Sequence, residues 1–197
     1  LADPVQRGLA VGVFSFSMAQ FGFMSVYIAM IWRDSNLPPA AAAAMLSLAM
    51  TASIFGRLYW GWRADVGQPR RVLSWLAWSG VALLIVLLFL GPDWPWSAIA
   101  LISIALGFMP MGWSGVLLAE VARAGEESGG PAGVLNATAG SMIFAYLGGL
   151  LGPALLSISV LATGSYRPGI ICLIIAFAIC AVVVVNGEQT TEEEAKQ

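Results

Sequence analysis

Histidine is absent from this chain of 197 residues, and charged side chains make up only 10% of it. The absence of histidine excludes mechanisms that use an imidazole base, histidine metal sites and histidine pH switches. A soluble domain carries about 25% charged residues, so the chain falls outside that class. Nine basic and eleven acidic residues leave no basic surface for a nucleic-acid partner.

Cysteine is also scarce, since Cys172 and Cys180 are the only two and both lie in the last apolar run. At this spacing on one helix they are too far apart to form a disulfide with each other. We therefore expect two small buried side chains, and neither a metal site nor a cofactor.

Hydrophobic residues make up 59% of the sequence and form long runs. A helix needs about 20 apolar residues to cross a bilayer. The sequence therefore predicts an all-α membrane protein: a six-helix transmembrane bundle over residues 1–187 and a disordered acidic cytoplasmic tail over 188–197. The predicted spans, numbered first to sixth, are 8–32, 39–62, 72–90, 96–121, 131–161 and 168–185.

Basic residues are distributed unequally between the two predicted sides of the membrane. With six spans, both ends of the chain share one side. The positive-inside rule places that side, and both termini, in the cytoplasm. The basic residues on this side are Arg7, Arg57, Arg63, Arg70, Arg71, Arg123 and Lys196, against Arg33 and Arg167 on the other.

Glycine and proline are concentrated in the fourth and fifth spans. Small residues allow helix backbones to approach closely, and glycine or proline within a span permits a kink. Tight packing and a flexing, transport-competent helix are equally compatible with this pattern. The residues concerned are Gly107, Pro110, Gly112, Gly115, Gly133, Gly140, Gly148, Gly149, Gly152 and Pro153.

The segment between the second and third spans has a distinctive order of residues. A glycine is followed four residues later by an aspartate, then by a glycine and two arginines: Gly61, Asp65, Gly67, Arg70 and Arg71. This order resembles the signature loop of the major facilitator superfamily. It departs from the family pattern at Val66, where a basic residue is usual, and at Gly67, which comes one residue early.

The fourth and fifth spans are similar to the tenth and eleventh helices of bacterial members of this superfamily, including Gly152-Pro153. The resemblance covers nearly the whole chain. It implies the carboxyl-terminal six-helix half of a twelve-helix transporter in a bacterial inner membrane, which moves a small solute by alternating access without ATP hydrolysis. The first, second, fourth and fifth spans would face the cavity or the other half, and the third and sixth would face lipid.

The resemblance also implies a cytoplasmic gate centred on Asp65, near the start of the fifth span around Gly133. A carboxylate there can accept hydrogen bonds from arginines and from a helix N-terminus. An ordinary solvated turn is the alternative. Glu120 lies one turn inside the fourth span and would extend the gate by reaching Arg63 or Arg70, with proton coupling as the alternative. The gate candidates are Gly61, Arg63, Asp65, Arg70, Arg71 and Glu120.

We expect no charged residue at the membrane midplane. The substrate-cavity candidates are the polar, aromatic or sulfur-containing residues at that depth: Gln20, Thr51, Ser53, Met109, Trp113, Asn136 and Tyr146. For each of them, an interhelical hydrogen bond or plain packing is the alternative. A charged substrate would need its counter-charge from the other half.

Two further functions are weighed against transport. One is a six-helix structural or assembly subunit; the other, a membrane enzyme, is disfavoured because histidine and an acidic cluster are missing. The predicted partners are the lipid bilayer, a small-molecule substrate, and either an amino-terminal six-helix half or a second copy of the chain. In the isolated chain, Gln20 or Asn136 would lack hydrogen-bond partners.

Overall fold

The computed structural model describes residues 4–194, and the side chains of residues 6–183. The helices are α1 (Pro4–Asp34), α2 (Pro39–Val66), α3 (Pro69–Leu88), α4 (Trp96–Phe108), α5 (Trp113–Thr163) and α6 (Arg167–Glu194), with a short 3-10 turn (Pro110–Gly112) before α5. Residues 4–194 contain no strand. The all-α prediction is therefore confirmed for the described chain.

Proline marks the start of three helices. Pro39 and Pro69 are the first residues of α2 and α3, and Pro95 directly precedes α4. The fixed φ of proline suits the first helical turn, and the N–H that it lacks would be unpaired there. These starts follow from local sequence alone.

Four helical segments in the described range are long and apolar enough to cross a membrane: Gln6–Asp34, Pro39–Val66, Pro69–Leu88 and Trp96–Thr163. A shorter apolar helix covers Arg167–Val183. Together they indicate a multi-pass membrane protein.

The chain reverses direction within α5. Gly129 and Gly130 leave helical geometry, and Gly130 has a φ of 58°, which glycine adopts without strain. A Cβ placed on Gly133 would lie 2.1 Å from the carbonyl oxygen of Gly125. In a straight helix these residues would be about 12 Å apart. We therefore call residues 113–128 the first arm and residues 131–163 the second arm of α5.

The predicted fourth span is broken rather than continuous. Pro110 lacks an N–H, and the N–H of Gly112 bonds to the Met109 oxygen at 3.1 Å, which forms the 3-10 turn. The region predicted as the fourth span thus comprises α4, the turn and the start of the first arm. The second arm corresponds to the predicted fifth span.

The sixth helix is longer than expected. The sequence predicts its end at Val185 and a disordered tail over 188–197, whereas α6 continues to Glu194. No proline follows in this segment, and its glutamate and glutamine residues are good helix formers. Residues 195–197 lie outside the described residues.

Close backbone contacts at glycine hold the bundle together. On the second arm, a Cβ on Gly148 or Gly152 would lie 2.4 or 2.1 Å from the carbonyl oxygen of Phe14 or Met18 on α1. On α4, a Cβ on Gly107 would lie 1.9 Å from an α2 carbonyl. α3 packs mainly on α6. The small-residue pattern therefore serves tight packing of α1 on α5 and of α2 on α4.

Contacts between the loops define two ends of the bundle. At the Arg70 end, Gln6 donates a 2.9 Å hydrogen bond to Ser128. At the opposite end, Arg33 donates to the Gly164 oxygen, and Asn36 donates to the Pro92 oxygen at 3.2 Å. The loops and helix termini thus alternate between the two ends along the chain.

Candidate functional site

A buried carboxylate lies at the Arg70 end of the bundle. Glu120, on the first arm of α5, has a side chain that is only 2% exposed. Its Oε1 accepts hydrogen bonds from Arg70 Nε at 3.1 Å and from Arg123 Nη2 at 2.8 Å. Two guanidinium groups offset the cost of burying the charge. We call these three residues the Glu120 cluster; it joins α3 to the first arm of α5.

The cluster includes one expected pair and one residue that the sequence analysis missed. Arg70 is one of the two arginines expected to reach Glu120, and the other, Arg63, is half-buried on α2. Arg123 was assigned only a topological role. It lies three residues after Glu120 on one helix, and this spacing could have identified the pair.

Asp65 does not take part in the Glu120 cluster. Its side chain is exposed and forms no hydrogen bond or ion pair with residues in the described range. It lines a cavity of about 260 Å³ between α2 and the first arm, together with Gly61, Gly115 and Glu120. Gly133, beside which the resemblance puts Asp65, packs against Gly125 and lines a different cavity. The cavity lining thus comes from α2, the start of α3 and the first arm.

The remaining gate candidates lie around this cavity. Gly61 lines it, and a Cβ placed on Gly61 would have no atom within 4 Å. Arg71 is exposed near the start of α3. The structure therefore brings Gly61, Asp65 and Glu120 to one cavity and leaves Arg71 on the surface.

Two of the substrate-cavity candidates bind each other. Trp113 Nε1 donates a 2.8 Å hydrogen bond to Gln20 Oε1, and the indole stacks on Phe16 with ring centroids 5.5 Å apart. Within the described residues, the Gln20 amide nitrogen has one hydrogen-bond contact, to Met24 Sδ at 4.0 Å, which is a weak acceptor. The expectation that Gln20 lacks a partner is therefore wrong for its oxygen.

The other cavity candidates do not converge on one pocket. Thr51 and Ser53 donate to carbonyl oxygens of their own helix, at 2.9 and 2.7 Å. Met109 lies in the helix break, and Tyr146 is 76% exposed on the second arm. Asn136 is exposed and lines a separate cavity of about 530 Å³ with Gln6 and Ser128, at the Arg70 end rather than at mid-depth.

The helix break has a partner that the sequence analysis missed. In a continuous helix, the Phe108 oxygen would accept a hydrogen bond from the N–H of Gly112. Because that N–H bonds to Met109, the Phe108 oxygen accepts instead from Trp60 Nε1 on α2, at 2.9 Å. The proline indicated the break, but no local pattern indicated the indole that supports it.

Arg57 is one of the arginines that the sequence analysis assigns to the cytoplasmic side, and the structure places it within a helix. Arg57 belongs to the interior of α2 and not to the loop that follows it. It lies nine residues before the end of that helix, about 14 Å along its axis. Its number in the sequence, set against the span predicted over 39–62, could have shown this.

The fold resembles that of a solved transporter. The chain matches the major facilitator superfamily transporter FucP, in a crystal structure of its outward conformation, with a TM-score of 0.74 and 18% identity. The match covers 93% of this chain and 42% of the FucP chain, so this chain spans less than half the length of FucP. No family model matches the sequence, and no curated protein is similar to it. At this identity the likeness shows a major-facilitator-like fold.

Proposed function

We propose that the chain is one six-helix half of a secondary transporter that moves a small solute across a membrane by alternating access. The observation that carries this proposal is the fold likeness, which covers 93% of this chain but 42% of FucP. In transporters built from two repeats, the halves rock about a site near the midplane. With the reversal at Gly129–Gly130, the described residues 4–194 form six helical segments, the number that such a half requires.

The open faces of the bundle support the need for a partner. The most apolar stretch of α1 is 61% buried, against 28% for α2 and 22% for the segment Trp96–Thr163. Large apolar side chains on these two faces are more than half exposed, including Ile54, Phe55, Leu58, Leu150, Ile158 and Leu161. We assign these faces to the amino-terminal half or to a second copy of the chain, and the outer faces of α3 and α6 to lipid.

The Glu120 cluster and Asp65 have different parts in the proposed gate. The cluster holds α3 and the first arm together within this half. Asp65 is exposed at the rim of the cavity, where an arginine or a helix N-terminus of the partner can bind it in one transport state. Asp65→Asn keeps the size of the side chain and should slow transport at equal expression. A transport rate of the variant equal to that of the wild type would mean that Asp65 belongs to an ordinary solvated turn.

Gln20 and Trp113 are the proposed contribution of this half to the substrate site. The space beside Gln20 in this chain is about 20 Å³, room for about one water molecule. This space is too small for a solute, so the proposed site has to enlarge in another transport state. The Gln20 amide nitrogen is then available to an acceptor on the solute.

We further propose that the Arg70 end is cytoplasmic and that the membrane is a bacterial inner membrane. Arg70 and Arg71 at the start of α3 and Arg123 on the first arm lie at this end, and Arg33 and Arg167 lie near the loops of the opposite end. The positive-inside rule then places the Arg70 end inside.

Uptake by reconstituted vesicles tests the proposal. The chain is reconstituted alone and with its co-expressed amino-terminal half, and a panel of labelled sugars, amino acids and organic acids is offered. Uptake should require both halves, and the purified chain should be larger than a monomer by light scattering corrected for bound detergent. A monomer that transports unaided would contradict the half-transporter assignment. Stable assembly without uptake of any solute would favour a structural subunit.

A further inference from the structure

Arg57 is a charged residue within an apolar helix. α2 has 28 residues, from Pro39 to Val66, so its midpoint lies between Ala52 and Ser53. Arg57 is then about 7 Å along the axis from that midpoint, at 1.5 Å per residue. The hydrocarbon core extends about 15 Å to each side of its centre. An arginine at this depth is costly unless it is paired or faces a water-filled cavity.

No acidic group in the described range neutralises Arg57. Its side chain is exposed and has no hydrogen bond or ion pair with the residues that the structure describes. Asp65 follows it by eight residues on the same helix, about 12 Å along the axis. Glu120 is already bound by Arg70 and Arg123. The guanidinium group is therefore available to an anion from outside this part of the chain.

Two glycines leave space next to Arg57. Gly61 is one helical turn further along α2, and a Cβ placed there would have no atom within 4 Å. A Cβ placed on Gly115, on the facing first arm, would have only the Arg57 backbone oxygen within 4 Å, at 3.9 Å. Both glycines line the cavity of about 260 Å³ that extends to Glu120. The Arg57 backbone thus lies beside the cleft between α2 and the first arm, and its exposed side chain is one helical turn from Gly61 at the edge of that cavity.

We propose that Arg57 binds the oxyanion, a carboxylate or phosphate, of the transported solute, so that the substrate is a small organic anion. This inference rests on the proposed transport function and names its substrate class. A guanidinium group presents paired N–H donors that match a carboxylate or phosphate in two-point contact. Arg57 therefore supplies the counter-charge within this half, which the sequence analysis expected only from the other half.

Ligand-induced stabilisation of the purified chain tests this proposal without requiring transport. The thermal unfolding midpoint is measured in neutral detergent at constant ionic strength, with succinate, inorganic phosphate or galactose added. At least one of the two anions should raise the midpoint saturably, whereas galactose should not. Arg57→Gln should weaken the apparent affinity at least tenfold, and Arg57→Lys should weaken it less. Arg167→Gln, which removes an exposed arginine at the start of α6, should leave the affinity unchanged.

Several outcomes would overturn the proposal. One is an Arg57→Gln variant whose unfolding midpoint responds to the anions as the wild-type chain does. Another is a wild-type chain that shows no saturable response to either anion. A third is loss of the response when the amino-terminal half is co-purified. The last result would mean that an acidic residue of that half binds Arg57. Equal protection by phosphatidylglycerol would point to a lipid headgroup and would also overturn it.

The anion assignment and the transport function can fail separately. Arg57-dependent binding without uptake would contradict only the transport function. Uptake of neutral solutes that is insensitive to Arg57→Gln would contradict only the anion assignment.

Discussion

Trp113 Nε1 donates a 2.8 Å hydrogen bond to Gln20 Oε1, and this bond joins α1 to the first residue of α5. The bond lies beside the break between α4 and α5, where Pro110 interrupts the helix. Trp113 is buried, so its N–H has no access to bulk water and would be costly to leave unpaired. The pair therefore fixes the position of the first arm relative to α1.

A double-mutant cycle should detect this coupling. Gln20→Ala and Trp113→Phe should each lower the free energy of unfolding by about 1–3 kcal/mol, because each leaves a polar group without its partner. The double mutant should lose about 1 kcal/mol less than the sum of the single losses. The measurement is reversible unfolding in mixed detergent micelles. Trp96→Phe, at a 66% exposed tryptophan on α4, is the matched control and should have little effect. Additive losses would show that the two side chains act independently.

The residues of the Glu120 cluster should contribute unequally to the stability of the protein. Glu120→Ala removes the acceptor of two arginines and should cost about 3–5 kcal/mol, since it leaves Arg70 as a largely buried charge without this partner. Arg123→Gln should cost less than about 1 kcal/mol, because the Arg123 side chain is 57% exposed. Glu127→Gln, an exposed acid on the same arm, is the control. Unfolding in detergent measures all three, and equal losses for Glu120→Ala and Glu127→Gln would contradict a structural role for the cluster.

Local chemistry in the sequence was sufficient to predict most of the helices. Proline at the start of α2 and α3, and before α4, marks where the chain begins a new helix, and the apolar runs set the lengths. The break at Pro110 was indicated as a kink, but its exact form depends on which N–H groups find other acceptors. The sequence does not predict the continuation of α6 to Glu194, because its polar composition is typical of disorder although it is also compatible with a helix.

The candidate site was harder to predict because its contacts are not local. Gln20 and Trp113 are 93 residues apart, and Arg70 and Glu120 are 50 apart. The position of a residue along a predicted span indicates its depth in the membrane. It does not indicate which face of the helix carries the residue. Thr51 was selected by depth alone, and its hydroxyl bonds to its own helix. For Arg57 the sequence analysis uses only the charge, as an indicator of topology. It does not consider that the residue lies within a predicted span.

Trp60 should stabilise the helix break through its indole N–H. Trp60→Phe keeps an aromatic ring but removes the donor to the Phe108 oxygen, so a partly buried carbonyl loses its partner. The expected loss is about 1–3 kcal/mol in the free energy of unfolding. Trp62→Phe is the matched control, because Trp62 lies two residues away on α2 and is 58% exposed. Similar losses for the two variants would indicate that ring packing, and not the hydrogen bond, matters at Trp60.

The orientation of the chain can be measured by cysteine labelling in intact cells. The expectation of two buried cysteines is confirmed for Cys180 and wrong for Cys172, which is exposed. Cys172 is therefore first replaced by serine, whereas Cys180 can remain. Single probes are then placed by Gln68→Cys at the Arg70 end and by Ser97→Cys at the opposite end, both at exposed positions. A membrane-impermeant maleimide added outside should label the probe at position 97 and spare the probe at position 68. The reverse pattern would place the Arg70 end outside the cell.

Contact between α1 and the second arm of α5 should tolerate no added methyl group at Gly152. A Cβ there would lie 2.1 Å from the Met18 oxygen and 2.9 Å from the Gly22 nitrogen, so backbone atoms of one helix must move. Overpacking of this kind costs about 1–3 kcal/mol, and Gly152→Ala should lower the unfolding free energy by that amount. Gly140→Ala, on the same arm, is the matched control, because a Cβ at Gly140 would meet no atom within 4 Å. Since alanine favours a helix over glycine by up to about 1 kcal/mol, the control should be neutral or more stable. A Gly152→Ala variant as stable as Gly140→Ala would show that the two helices are not held at this distance.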